Sequence, residues 1–105
     1  MEKYILGPNN ENIKTTFEGW IQWEKDNPDR KIISRNRIFV NEEEILISTV
    51  FLGLDHAFGH YGPILFETMI FKGEHDGWQD RYETYREAIE GHNKVFQQII
   101  NNEEF

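Results

Sequence analysis

The sequence predicts an α+β fold: an antiparallel three-stranded meander, with a place for a fourth strand, carrying one N-terminal and one C-terminal helix on a single face. Three observations lead there. Apolar residues recur at helical spacing near both ends, at Ile13, Phe17, Trp20 and Ile21 and again at Ala88, His92, Val95 and Ile99. Between them lie three runs of β-branched and aromatic residues, parted by turn-forming segments. A length of 105 residues, 38% of them hydrophobic, supports one domain, residues 1–105, around one core.

Taken in order, Tyr4-Ile5-Leu6 is a short apolar start, the candidate fourth edge strand, and Gly7-Pro8-Asn9-Asn10 turns the chain. A helix of about three turns is expected next, with Thr15 and Glu18 as its capping box. Trp20 reads as its core residue and Trp23 as the edge of its apolar stripe. Asp26-Asn27-Pro28-Asp29 stops it, because proline pushes the residue before it out of the helical region. Lys31 to Val40 and Glu44 to Leu52 then read as two strands of an antiparallel hairpin, and Ile64 to Phe71 as a third. Lys72 to Asp80, with two glycines and several charges, reads as a loop. Thr84 and Glu87 form a second capping box, and the stripe from Tyr85 to Ile100 is the clearest helix of the chain.

The strands carry more apolar surface than two helices can cover. In the second strand both alternating sets, Ile45-Ile47-Thr49-Phe51 and Leu46-Ser48-Val50-Leu52, are largely apolar, whereas a sheet wetted on one side alternates cleanly. A ligand or second subunit is therefore expected on the other face, and a homo-oligomer, with a dimer favoured, is the expected assembly.

Charge narrows the partners. Eleven basic residues against 19 acidic give −8, which repels duplex nucleic acid and anionic membranes. The chain has no cysteine, which excludes disulfides, thiolate nucleophiles and cysteine-ligated zinc. No run approaches the roughly 20 apolar residues of a bilayer span, and the start lacks a signal peptide's apolar stretch, so a cytoplasmic location is expected.

Candidate ligand-binding residues fall in three groups. The connection Gly53 to Pro63 is long for a hairpin and holds Asp55, His56, Phe58 and Tyr61 among glycines that let backbone amides approach a ligand. Its alternative reading is structural, with Asp55 ordering the turn. Arg35 and Arg37 share one side of the first long strand and suit two-pronged recognition of phosphate or carboxylate, against the alternative of pairing with surface glutamates. Glu67 stands between apolar neighbours, so it needs a cation such as Arg35, Arg37 or Arg81, or it reads a ligand. The site is placed where the loop meets Glu67, the two arginines, Arg81 and Tyr85. His92 lies on the inner stripe of the last helix and reads as a satisfied core histidine. His56 and His60 have metal-like spacing, yet no HExxH helix or other ligand set accompanies them. No metal, no cofactor and no catalytic residue is expected.

The segment Ser48 to His56, STVFLGLDH, followed by Pro63 to Phe71, by Arg81 to Tyr85 and by Glu87-Ala88 to Gly91-His92, resembles a small family of uncharacterised proteins carried by tailed bacteriophages and prophages. The likeness extends to Tyr4-Ile5-Leu6 and to Trp20 to Glu24, and departs at Ala57 to Tyr61, so His60 and Tyr61 inherit no family role. It implies a phage accessory protein acting in the host cytoplasm and implies no chemistry. The function expected is a counter-defence sponge that sequesters a small nucleotide-like host signal in a pocket near a subunit interface. An acidic inhibitor of a host defence protein or nuclease is the alternative, and a small hydrolase with Asp55 and His56 as acid and base is the third.

Overall fold

The structure, a computed structural model, describes residues 1–57 and 62–105. Strand β1 (Lys3–Leu6) pairs antiparallel with β2 (Asn12–Thr15), and the turn between them closes with the Gly7 amide donating to the Glu11 carbonyl at 2.8 Å. Helix α1 (Phe17–Asp26) starts at Thr16, whose hydroxyl accepts from the Gly19 amide at 3.1 Å. This corrects the expected cap by one residue. Thr15 is held opposite Lys3 in the ladder, and Ile13, at helical spacing from Phe17, belongs to β2. Asn27 ends the helix, its side-chain amide and its backbone N–H both donating to the Trp23 carbonyl, and Pro28 opens a short 3₁₀ turn to Lys31.

The main sheet runs β3 (Ile32–Val40), β4 (Glu43–Phe51), β5 (Phe66–Phe71), β6 (Gln79–Tyr82), each antiparallel to the next and in chain order. Asn41 and Glu42 join the first two as a two-residue turn with φ of 51° and 68°, the left-handed pair that matches strand twist. The fourth strand is thus β6, within and just beyond the stretch expected to be a loop, and not Tyr4–Leu6. Its sequence, QDRY, is polar on both sides because a short edge strand faces water. β1 pairs with no strand of this sheet; it meets the end of β4 through the Lys3–Leu54 bridge and the Tyr4 amide on the Gly53 carbonyl at 2.7 Å, and its Leu6 packs in the cluster of Phe51 and Phe66. The third strand begins at Phe66, two residues later than expected, although Leu65 still bonds to Leu52 and Tyr82.

Helix α2 (Tyr85–Ile100) opens on the expected capping box of Thr84 and Glu87 and lays Ala88, His92, Val95 and Ile99 on the sheet. That inner face gathers two apolar clusters, one around Phe51, Phe66 and Leu65, the other around Ile45, Ile47 and Ile70. Between the clusters lies a buried polar layer of Thr49, Thr68 and His92. Gly91 makes room for it: a Cβ there would stand 2.4 Å from the Tyr82 ring. The second helix of the expected two-helix layer is displaced. α1 packs mainly on β1 and reaches the inner face through Trp23, edge-on to Phe51 at 5.6 Å. Trp23 is therefore the buried tryptophan and Trp20 the partly buried one, the reverse of the expectation.

Candidate functional site: the uncovered sheet face

Side chains alternate across a strand, so the register that buries Ile45, Ile47, Thr49 and Phe51 turns Glu44, Leu46, Ser48 and Val50 to the other side. Rows follow from the pairing. Phe39 lies beside Glu44; Arg37 beside Leu46 and Phe71; Arg35 beside Ser48, Met69 and Gln79; and Val50 beside Glu67 and Arg81. Both helices pack against the inner side, and among the described residues this outer face carries no covering element. It has an apolar centre, Leu46, Val50 and Met69, and a charged rim. Phe39 is 73% exposed.

The rim is paired unevenly. Arg81 Nε donates to Glu67 Oε2 at 2.9 Å, and Arg37 Nη1 reaches Glu44 Oε1 at 3.4 Å with Lys72 Nζ 3.9 Å from the same carboxylate. Arg35 forms no ion pair among the described residues. Four cations against two carboxylates make this face +2, which leaves seven cations and 17 carboxylates, −10, for the rest of a chain of −8.

The expected site residues divide. Arg35, Arg37, Glu67 and Arg81 meet on the outer face, spread over strands spaced about 4.8 Å apart. Tyr85 does not join them: following Thr84 onto the inner side, its ring packs against Phe66 at 6.4 Å. Asp55 takes the turn-ordering role, its Oδ1 accepting from the amides of Ala57 at 2.8 Å and Ile64 at 3.0 Å. His56 Nδ1 donates to the Leu54 carbonyl at 2.7 Å, and its amide donates to the Ile64 carbonyl. Phe58 and Tyr61, with His60, lie outside the described residues. Among the described residues no three His, Asp or Glu side chains converge as a metal set, and no helix is long and apolar enough to cross a membrane.

Two features carried no motif. Arg30 staples the N-terminal hairpin, donating to the Gly7 carbonyl at 2.7 Å and to Asn10 Oδ1 at 3.2 Å, with its guanidinium over the Trp23 ring. The polar layer under α2 forms a chain, and one orientation satisfies every member. Tyr82 donates to Thr68 at 3.1 Å, Thr68 to Thr49 at 2.5 Å, Thr49 to His92 Nδ1 at 2.7 Å, and His92 Nε2 to Asn36 Oδ1 at 2.7 Å. Burial lowers the His92 pKa and raises that of Tyr82, so both are neutral members. A histidine bonded at both nitrogens has no lone pair free to accept a substrate proton. Comparison with protein-family models, with curated proteins and with solved structures returns no match.

Proposed function

We propose that this chain is a non-catalytic binding module that grips an anionic partner on the outer sheet face, with Arg35 and Arg37 as the gripping residues. The carrying observation is the charge reversal: +2 on this face and −10 elsewhere, with Arg35 unpaired among the described residues. An apolar centre inside a charged rim is the anatomy of a recognition surface, and arginine is the residue enriched there. Long-range repulsion from the remainder of the chain steers an anion toward the one face that attracts it. In a chain resembling phage accessory proteins, such a surface serves counter-defence in the host cytoplasm, by occupying a host macromolecule or by sequestering a host signal.

A nucleotide-like ligand remains a second reading because Phe39, highly exposed in the row next to Arg37, offers a ring on which a base can stack. Thermal shift with two probe classes tests both: mono- and cyclic nucleotides, and poly-glutamate. A probe at a hundred times its Kd stabilises by about 2.7 kcal/mol, on the order of 10 °C for a domain of this size. We expect at least one class to do so and the paired substitution R35A/R37A to abolish the shift while circular dichroism stays unchanged. A shift that survives R35A/R37A, or no shift from either class, refutes the reading.

A further inference from the structure

The two-residue turn fixes more than the hairpin. In such a turn the first residue's carbonyl accepts from the fourth residue's amide, so Val40 and Glu43 are a hydrogen-bonded pair. Antiparallel pairs alternate between bonded and non-bonded. The unbroken register from Val40 back to Ser34 then makes Ile38, Asn36 and Ser34 the residues bonded to β4. Phe39, Arg37 and Arg35 fall in the non-bonded pairs, so their backbone N–H and C=O groups point away from the sheet. β3 is an edge strand of nine residues, and no backbone bond among the described residues occupies that edge.

Beside the same edge lies a groove of about 470 Å³ between the inner side of β3 and the end of α2, lined by Ile38, Val40, Ile99 and Ile100. Ile100 is half exposed there. The edge thus presents three things to one visitor: a free ladder, two arginines on the outer side, and an apolar trough on the inner side.

A second copy is the wrong visitor. Two β3 strands in the fully overlapped antiparallel register, centred on Asn36, set Arg35 of each copy directly against Arg37 of the other, and like charges in opposed positions destabilise a strand pair. A slip of two residues, the smallest that keeps the same faces together, sets Arg35 or Arg37 against itself. Charged residues on an edge are a recognised guard against self-pairing.

We propose that the β3 edge accepts an added antiparallel strand from an acidic polypeptide partner, whose carboxylates sit opposite Arg35 and Arg37 and whose alternate apolar side chains enter the groove beside α2. The proposal rests on the anionic-partner reading and specifies its partner. Residues opposite Arg35 and Arg37 share the outer face, and those opposite Ile38 and Val40 share the inner one, so the partner reads, from N to C, apolar, any, apolar, acidic, any, acidic. Main-chain bonds supply affinity and the alternate side chains supply specificity. The Arg37–Glu44 pair, at 3.4 Å and on the surface, is weak enough to exchange for the partner's carboxylate.

The probe is the peptide Thr-Val-Thr-Val-Glu-Thr-Glu-Thr, followed by fluorescence anisotropy and amide hydrogen exchange. Both glutamates are N-methylated in one control, and their order is scrambled into an acidic block in another. We expect binding to weaken about tenfold or more in each control and in R35A/R37A, a change of about 1.4 kcal/mol. Binding should slow exchange at the Arg35, Arg37 and Phe39 amides while those of Asn36 and Ile38, already bonded to β4, change little. If the N-methylated peptide binds equally well and the three amides stay unprotected, strand addition is refuted while arginine-dependent anion binding stands. If no acidic peptide binds, strand addition is refuted, and the nucleotide arm of the preceding panel decides the broader reading.

Discussion

His92 separates what a residue type signals from what its neighbours make of it. Its place on the apolar stripe of α2 marked it as a core histidine, which is where it lies, but its partners, Thr49 and Asn36, come from two strands and were invisible in the linear order. The same holds for Glu67, whose carboxylate asked for one of Arg35, Arg37 or Arg81 without saying which; Arg81, directly opposite it on the neighbouring strand, supplies the charge. Asp55, expected as a ligand-binding residue with turn ordering as the alternative, bonds the local amides of its turn, as an aspartate beside glycines does. Burial holds the His92 pKa below its usual 6.5. As pH falls the unfolded chain therefore takes up the proton first, so the contribution is complete above about pH 6.5 and is lost below it until the native pKa is reached. The loss is at most about 1.4 kcal/mol per pH unit. Urea midpoints of the native chain and His92→Gln, taken at about pH 7.5 and 5.5, check it: the native chain should lose more stability than the variant over that interval. Equal losses would mean that His92 does not titrate differently on folding.

At the scale of elements, legibility followed periodicity and its absence. α2 and the β3–β4 hairpin were readable because each repeats its pattern over nine or more residues. β6 was not, since four polar residues on a sheet edge have no apolar face to alternate. β2 was misassigned for the opposite reason: Ile13 stands four residues before Phe17, a helical interval, yet Asn12–Thr15 bond to β1 and only the residues after Thr16 turn. The β3–β4 turn holds a local conflict that can be relieved. Glu42, at φ 68°, occupies a left-handed position that costs a side-chain-bearing residue about 1–2 kcal/mol and costs glycine nothing. Glu42→Gly converts the turn to Asn-Gly, the pair best suited to it, and the extra unfolded-state freedom of glycine offsets part of the gain. A rise of about 0.5–1 kcal/mol is expected in urea denaturation. A lower midpoint would show that the Glu42 side chain contributes more than its backbone strain removes.

For the whole molecule, the doubly apolar strands said that one sheet face would lack a cover, and the outer face is that face; what the sequence could not say is its size. Four strands at about 4.8 Å and six or seven residues at about 3.4 Å give a patch of roughly 400 Å². A stable interface takes about 800 Å² from each partner. Two outer faces meeting through Leu46, Val50, Met69 and Phe71 would therefore make a weak dimer, further held back by the net positive rim on both sides. We therefore propose that a homo-oligomer built on this face is concentration-dependent. Sedimentation velocity should find monomer at about 5 μM and a rising dimer fraction toward about 500 μM, as expected of an interface below standard size. Met69→Glu, at the centre of the patch and only half-buried, should abolish the association and leave the fold intact. A dimer that persists at the low concentration, or that ignores Met69→Glu, would place the interface elsewhere. The β3 edge would then need testing first, against the repulsion of Arg35 and Arg37 that argues for its reservation to an acidic strand.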